Sequence, residues 1–173
     1  KDLNPSRGMK FELIGGGKIN LSDPDRYYGY INPYLGFYNA VSKNRKLVVK
    51  SQVQAQFNIG DDYEFYQAAQ IGADTGLRGY RQERFSGKTA LATGADLRYS
   101  FNQFKTSFLP FQIGIYGGFD LGRVWNEDED SKMWHDSYGG GLWINSAEAL
   151  SAKFSVFGSE EDVRFNFGFG FKF

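Results

Sequence analysis

The chain has no cysteine, one histidine and four prolines in 173 residues. The absence of cysteine excludes a disulfide framework and any thiolate metal site. A single histidine, His135, leaves little for a histidine-rich metal centre or a Ser–His–Asp relay, and no nucleophile–base set is recognisable. We therefore expect no catalytic residue, no metal and no cofactor. Twenty Lys and Arg balance twenty Asp and Glu, so no general attraction to nucleic acid follows. No run of about 18 apolar residues occurs, which excludes a transmembrane helix. It does not exclude a membrane. A spanning strand presents only one apolar face, so mean hydropathy stays low, here −0.48. Lys1 opens the chain without a signal-peptide pattern, as expected of a mature or trimmed chain.

What the chain does have is 17 Phe, 11 Tyr and 22 Gly. Aromatic-rich, proline-poor composition reads as all-β. Period-two alternation predicts eight strands, at about 8–21, 27–41, 46–59, 88–101, 109–124, 136–145, 149–157 and 163–173. The third has the cleanest pattern: Leu47, Val49, Val53, Ala55, Phe57 and Ile59 oppose Lys50, Gln52, Gln54, Gln56 and Asn58. In the sixth, Gly139-Gly140-Gly141 obscures which residues share a face. In the last, every odd position from Phe165 through Phe167, Phe169 and Phe171 to Phe173 is phenylalanine. Short polar turns near 43, 104 and 147 lie on one side of this up-and-down array, and longer connections lie on the other. That asymmetry is typical of outer-membrane barrels.

Alternation alone does not say which face is wet, and a soluble β-sandwich would bury the apolar face. A terminal strand with a solid phenylalanine face would invite aggregation in a soluble protein unless it were covered, whereas acyl chains solvate it. The expected fold is therefore an antiparallel up-and-down transmembrane β-barrel. Tyr27, Tyr28, Phe104, Phe108, Trp125 and Trp134 suit interfacial girdles. Segment 61–86 breaks the alternation and is too long for an ordinary hairpin connection. At its centre stands Leu77-Arg78-Gly79-Tyr80. By itself Arg78 reads as a surface loop cation.

Taken together, several motifs resemble the bacterial surface antigen superfamily of BamA-like outer-membrane barrels. They are Asn4-Pro5-Ser6-Arg7-Gly8, Leu77-Arg78-Gly79-Tyr80, Asp96-Leu97-Arg98, Phe119-Asp120-Leu121-Gly122-Arg123-Val124-Trp125, and the aromatic strand ending in Phe173. The resemblance covers nearly the whole chain. It implies the carboxyl-terminal half of a barrel of about sixteen strands, located in the bacterial outer membrane. It implies that the Arg78 loop enters the lumen and meets acidic wall residues, and that the last strand with Phe173 is a targeting signal. It implies a role in inserting or translocating client polypeptides, or in anchoring a fused soluble domain. The POTRA domains of that family, which bind clients, are not in this sequence.

The residues make such a loop-to-wall salt bridge physically reasonable. Asp96 and Asp120 occupy the polar faces of neighbouring strands, and arginine offers a planar fork suited to carboxylates. The wall positions Lys10, Lys18, Lys50, Arg98, Lys153, Arg164 and Lys172 outnumber Glu12, Asp96 and Asp120, while the loop is mildly acidic. Gly94, Gly114, Gly118 and Gly122 would leave room for it. A closed eight-stranded barrel has an interior just filled by side chains, so an inserted loop calls for eight more strands, from a second copy or from a missing half. The alternative is an eight-stranded barrel with the loop outside, acting as a small structural or pore-forming protein.

Other signals carry less. Gly87-Lys88-Thr89 lacks the upstream glycine of a phosphate loop, since Gln82 stands there. Glu127-Asp128-Glu129-Asp130 lacks the EF-hand glycine. His135 beside Trp134 reads as interfacial, and Glu160-Glu161-Asp162 as an exposed turn.

Overall fold

The computed structural model describes residues 5–60, 63–105, 110–126, 133–146 and 150–171. The chain is all-β. Its strands are β1 (Gly8–Asn20), β2 (Asp23–Ala40), β3 (Leu47–Ile59), β4 (Ala69–Ile71), β5 (Phe85–Gly87), β6 (Thr89–Ser100), β7 (Phe111–Trp125), β8 (His135–Ser146), β9 (Leu150–Ser159) and β10 (Val163–Phe171). Eight form one antiparallel up-and-down sheet, ordered β1-β2-β3-β6-β7-β8-β9-β10, and β4 pairs with β5. All eight strands expected from alternation are present. The second begins earlier, at Asp23, so the expected turn 22–25 shrinks: Asn20 Oδ1 accepts the Ser22 amide at 2.9 Å and reverses the chain at once. Asn4, Asp61, Asp62, Phe108, the acidic run 127–130, Lys172, Phe173 and the side chain of Phe171 lie outside the described residues.

Segment 61–86 is not a simple loop. Short 3-10 turns at Phe65–Gln67 and Ala73–Thr75 flank β4, and the segment returns through β5. It packs on one face of the sheet, here the inner face. Ile71, Leu77 and Tyr80 of the segment bury against Ala90 and Ala92 of β6, with Phe85 and Val124 beside them. Small wall residues explain the fit, because Ala90 and Ala92 let the segment approach the sheet closely. A second cluster, Tyr116, Trp143 and Phe157, lies on the same face.

The outer face is bare and apolar. Met9, Phe11, Leu13, Ile31, Phe57, Leu97, Ile115, Phe119, Leu142 and Phe154 are exposed there, and Phe165, Phe167 and Phe169 are 71%, 74% and 56% exposed. The sandwich alternative, with these side chains interlocked in a core, is not formed among the described residues. Nor is closure: β1 and β10 are the two edges of the sheet and do not pair with each other. Nothing covers β1, whose residues are exposed throughout.

Two side chains expected at an interface belong to the inner face. Tyr28 is buried and packs 6.1 Å, ring to ring, from Tyr63 of the segment. His135 is buried and stacks on Phe85 at 3.6 Å. In both cases an inserted segment created a contact that strand periodicity alone does not reveal.

Candidate functional site

The inner face converges on Arg78. In the β6–β7 register Asp96 stands opposite Gly118, and Asp120 opposite Gly94. The two carboxylates are thus diagonal neighbours, each facing a glycine. A side chain at Gly118 would collide with Asp96 Oδ1 and lie 2.7 Å from Arg78 Nη2, and one at Gly94 would lie 2.8 Å from Asp120 Oδ1. The glycines therefore make the space that the guanidinium fills.

Arg78 Nε donates to Asp120 Oδ2 at 2.9 Å and Nη2 donates to Asp120 Oδ1 at 2.6 Å, a bidentate fork. Nη2 also reaches Asp96 Oδ1 at 2.7 Å. The Arg78 backbone amide donates to Asp120 Oδ2 at 3.0 Å, and so does the Ser137 hydroxyl at 3.0 Å. Asp120 is fully buried, so these donors replace the water it has lost. The guanidinium lies 4.0 Å over the Phe157 ring. Burial disfavours the charge on Arg78, but the hydrogen bonds and charges of Asp120 and Asp96 outweigh it and hold the group above its ordinary value.

The segment presents Arg78 through a specific backbone. Gly76 adopts φ 100°, a left-handed conformation that favours glycine, and the Leu77 amide closes the turn onto Gly72 O at 2.8 Å. At Gly79 a side chain would lie 2.7 Å from Gly158 O and from Ser137 Cβ, so the backbone touches the wall directly. Ser159 Oγ donates to Gly79 O at 3.0 Å, and Asn166 Nδ2 to Arg78 O at 3.4 Å. Tyr80 is buried edge-on to Phe85 and His135. The motif Leu77, Arg78, Gly79, Tyr80 thus divides its work: Leu77 and Tyr80 fill the core, Gly79 permits close approach and Arg78 bonds to the wall.

Further anchors hold the rest of the segment. The Gln56 side chain accepts from the Gln70 amide and donates to Gln70 O, each at 3.0 Å, acting as a substitute strand. Asn58 Nδ2 donates to Gln67 O at 2.8 Å. Arg26 meets Glu64 at 2.8 Å, and Arg84 meets Glu161 at 2.6 Å. The turn 160–162 is therefore exposed, yet it also tethers the segment. The strap acid Glu64 meets Arg26, which is not one of the wall cations named for the expected match of a basic wall to an acidic loop. The buried contact runs the other way, with a segment cation held by wall acids.

Arg78, Asp96 and Asp120 are brought together, as are the four residues of the loop motif. Phe165, Phe167 and Phe169 stand apart on the outer face. Ser137, Phe157, Ser159 and Asn166 contribute to the site without having been singled out from the sequence. Period two from Lys153 leads to Phe157. The glycine run at 139–141 hid the parity that leads to Ser137.

Fold and site define an antiparallel sheet with one apolar bare face and a strap locked to the other by an arginine held between two buried carboxylates. The chain matches no protein-family model and no curated protein.

Proposed function

We propose that the chain is half the wall of an outer-membrane β-barrel of the surface antigen type, which inserts or translocates polypeptides or anchors a fused soluble domain. One observation carries this reading. The outer face is a bare apolar band, while the inner face carries a strap whose half-buried Arg78 is held by the buried Asp96 and Asp120. Water would penalise the first arrangement and hydrocarbon would solvate it. The eight strands of the large sheet are 9 to 18 residues long, enough for the roughly 9–11 residues a tilted spanning strand needs. The strap occupies the space that an eight-stranded barrel would fill with side chains, which favours a wider closure of about sixteen strands. Here β1 and β10 would meet strands from another half or another copy.

In this reading Gly168 and Gly170 leave β10 thinly packed: a side chain added at either would meet nothing within 4 Å. That strand is the natural seam for a client to enter, and the Arg78 cluster keeps the neighbouring wall in register while it opens. The test is insertion of an unfolded outer-membrane polypeptide into liposomes containing the folded chain. Faster insertion than in empty liposomes is expected. Steady ion conductance without any acceleration would replace this role with that of a pore. A lipid-borne photoreactive probe should label Phe165, Phe167 and Phe169, and an unlabelled outer face would sink the membrane reading itself.

A further inference from the structure

We propose that the inner face holds a second site, a pocket for a phosphate-type oxyanion between the strap and the short turns. A cavity of about 160 Å³ lies there, with Lys50, Arg98, Lys153, Asp96, Asn145 and Ser151 in its lining. Sheet register builds it: Lys50 stands opposite Asp96, Arg98 opposite Tyr116, and Lys153 opposite Trp143. The lining holds three cations and one carboxylate, and that carboxylate already takes Arg78 at 2.7 Å. With Asp96 engaged by Arg78, the Lys50 and Lys153 ammonium groups give the pocket surplus positive charge in a recess partly shielded from water, where electrostatic attraction is stronger than on an open surface. The arginine fork and the two ammonium groups approach from three different strands. This geometry suits a compact oxyanion with several acceptor oxygens better than a flat or apolar ligand. At a water's share of about 30 Å³, the space is of the right order for one such group. The Asn145 amide and the Ser151 hydroxyl supply neutral donors at the turn side.

Free phosphate and a phospholipid headgroup share this chemistry, and the test separates them. The full chain, folded in neutral detergent at constant ionic strength, is treated with a trace amine-acetylating reagent and read by mass spectrometry. Inorganic phosphate should slow acetylation of Lys50 and Lys153 roughly tenfold at tenfold excess over its Kd, since only the free fraction reacts. Lys18, on the same face but outside this cavity, should react unchanged. Protection in nanodiscs containing phosphatidylglycerol without added phosphate would identify a headgroup, and protection by phosphate alone the free ion. Equal protection by chloride, equal slowing of Lys18, or no protection in either arm would overturn the proposal. As a second readout, phosphate should raise the melting temperature of the wild type. It should not raise that of a Lys50→Gln, Lys153→Gln double variant whose folding has been checked by gel mobility. An undiminished rise in that variant would also overturn it.

Discussion

At the scale of single residues, Arg78 is the centre of the molecule because its partners have no substitute. Arg78→Ala would leave Asp120 fully buried without its fork or its charge partner. Breaking a buried pair from one side costs about 3–5 kcal/mol. The folded form of R78A should therefore unfold at a lower temperature when gel mobility is followed against heating. An unchanged transition would remove the cluster's structural role. Arg78→Lys should recover only part of the loss, because an ammonium cannot form the bidentate pair. Gly118 offers an independent check, since it carries no charge itself. Gly118→Val would drive a side chain into Asp96 and against Arg78 Nη2, so it should cost about as much as R78A. A Gly118→Val protein with wild-type heat resistance would mean that the guanidinium has room to spare.

At the scale of elements, the strap of residues 61–86 holds on by two kinds of contact with different sensitivities. Its apolar grip is buried: Leu77 is fully enclosed, and Leu77→Ala should cost about 2–5 kcal/mol. Limited proteolysis should then cut within the strap while β6 and β7 stay protected. Its polar tether is exposed. Arg84 donates to Glu161, and that hydrogen bond, together with the charge of Arg84, holds the Glu161 carboxyl below its ordinary value. The tether therefore contributes fully above the ordinary carboxylate range. It is lost as pH falls through the lowered value in the folded state. Proteolytic release of the strap should rise slightly on acidification within that window, and Arg84→Gln should flatten the dependence. The effect is small because the pair is solvated.

At the scale of the whole molecule, the open sheet is the dominant fact. Among the described residues the sheet has two unpaired long edges and an uncovered apolar face, an arrangement that water penalises in a single copy. Light scattering in detergent should return a protein mass of at least two chains of 19.6 kDa for the isolated chain. A single-chain mass would favour closure within eight strands and expulsion of the strap, and would set aside the sixteen-stranded reading. The inner surface also divides into zones. One end is occupied by the strap, the middle by the arginine cluster, and the turn side by the cationic pocket.

Much of this was legible in the residues alone. Period-two alternation places all eight sheet strands, and the odd-numbered phenylalanines of β10 assign the outer face of that strand. That pattern is local, because adjacent side chains in a strand must point opposite ways. That Asp96 and Asp120 share a face follows from the same rule once their strands are neighbours, whereas their diagonal placement takes the register of β6 on β7. Other features needed the folded chain. Burial of Tyr28 and His135, the roles of Ser137, Phe157 and Asn166, and the strand pair inside 61–86 depend on residues far apart in sequence. Whether the sheet closes is likewise non-local: it depends on what the strap displaces and on what meets β1 and β10. Side-chain alternation says which way each residue points, but only tertiary packing decides what it meets there.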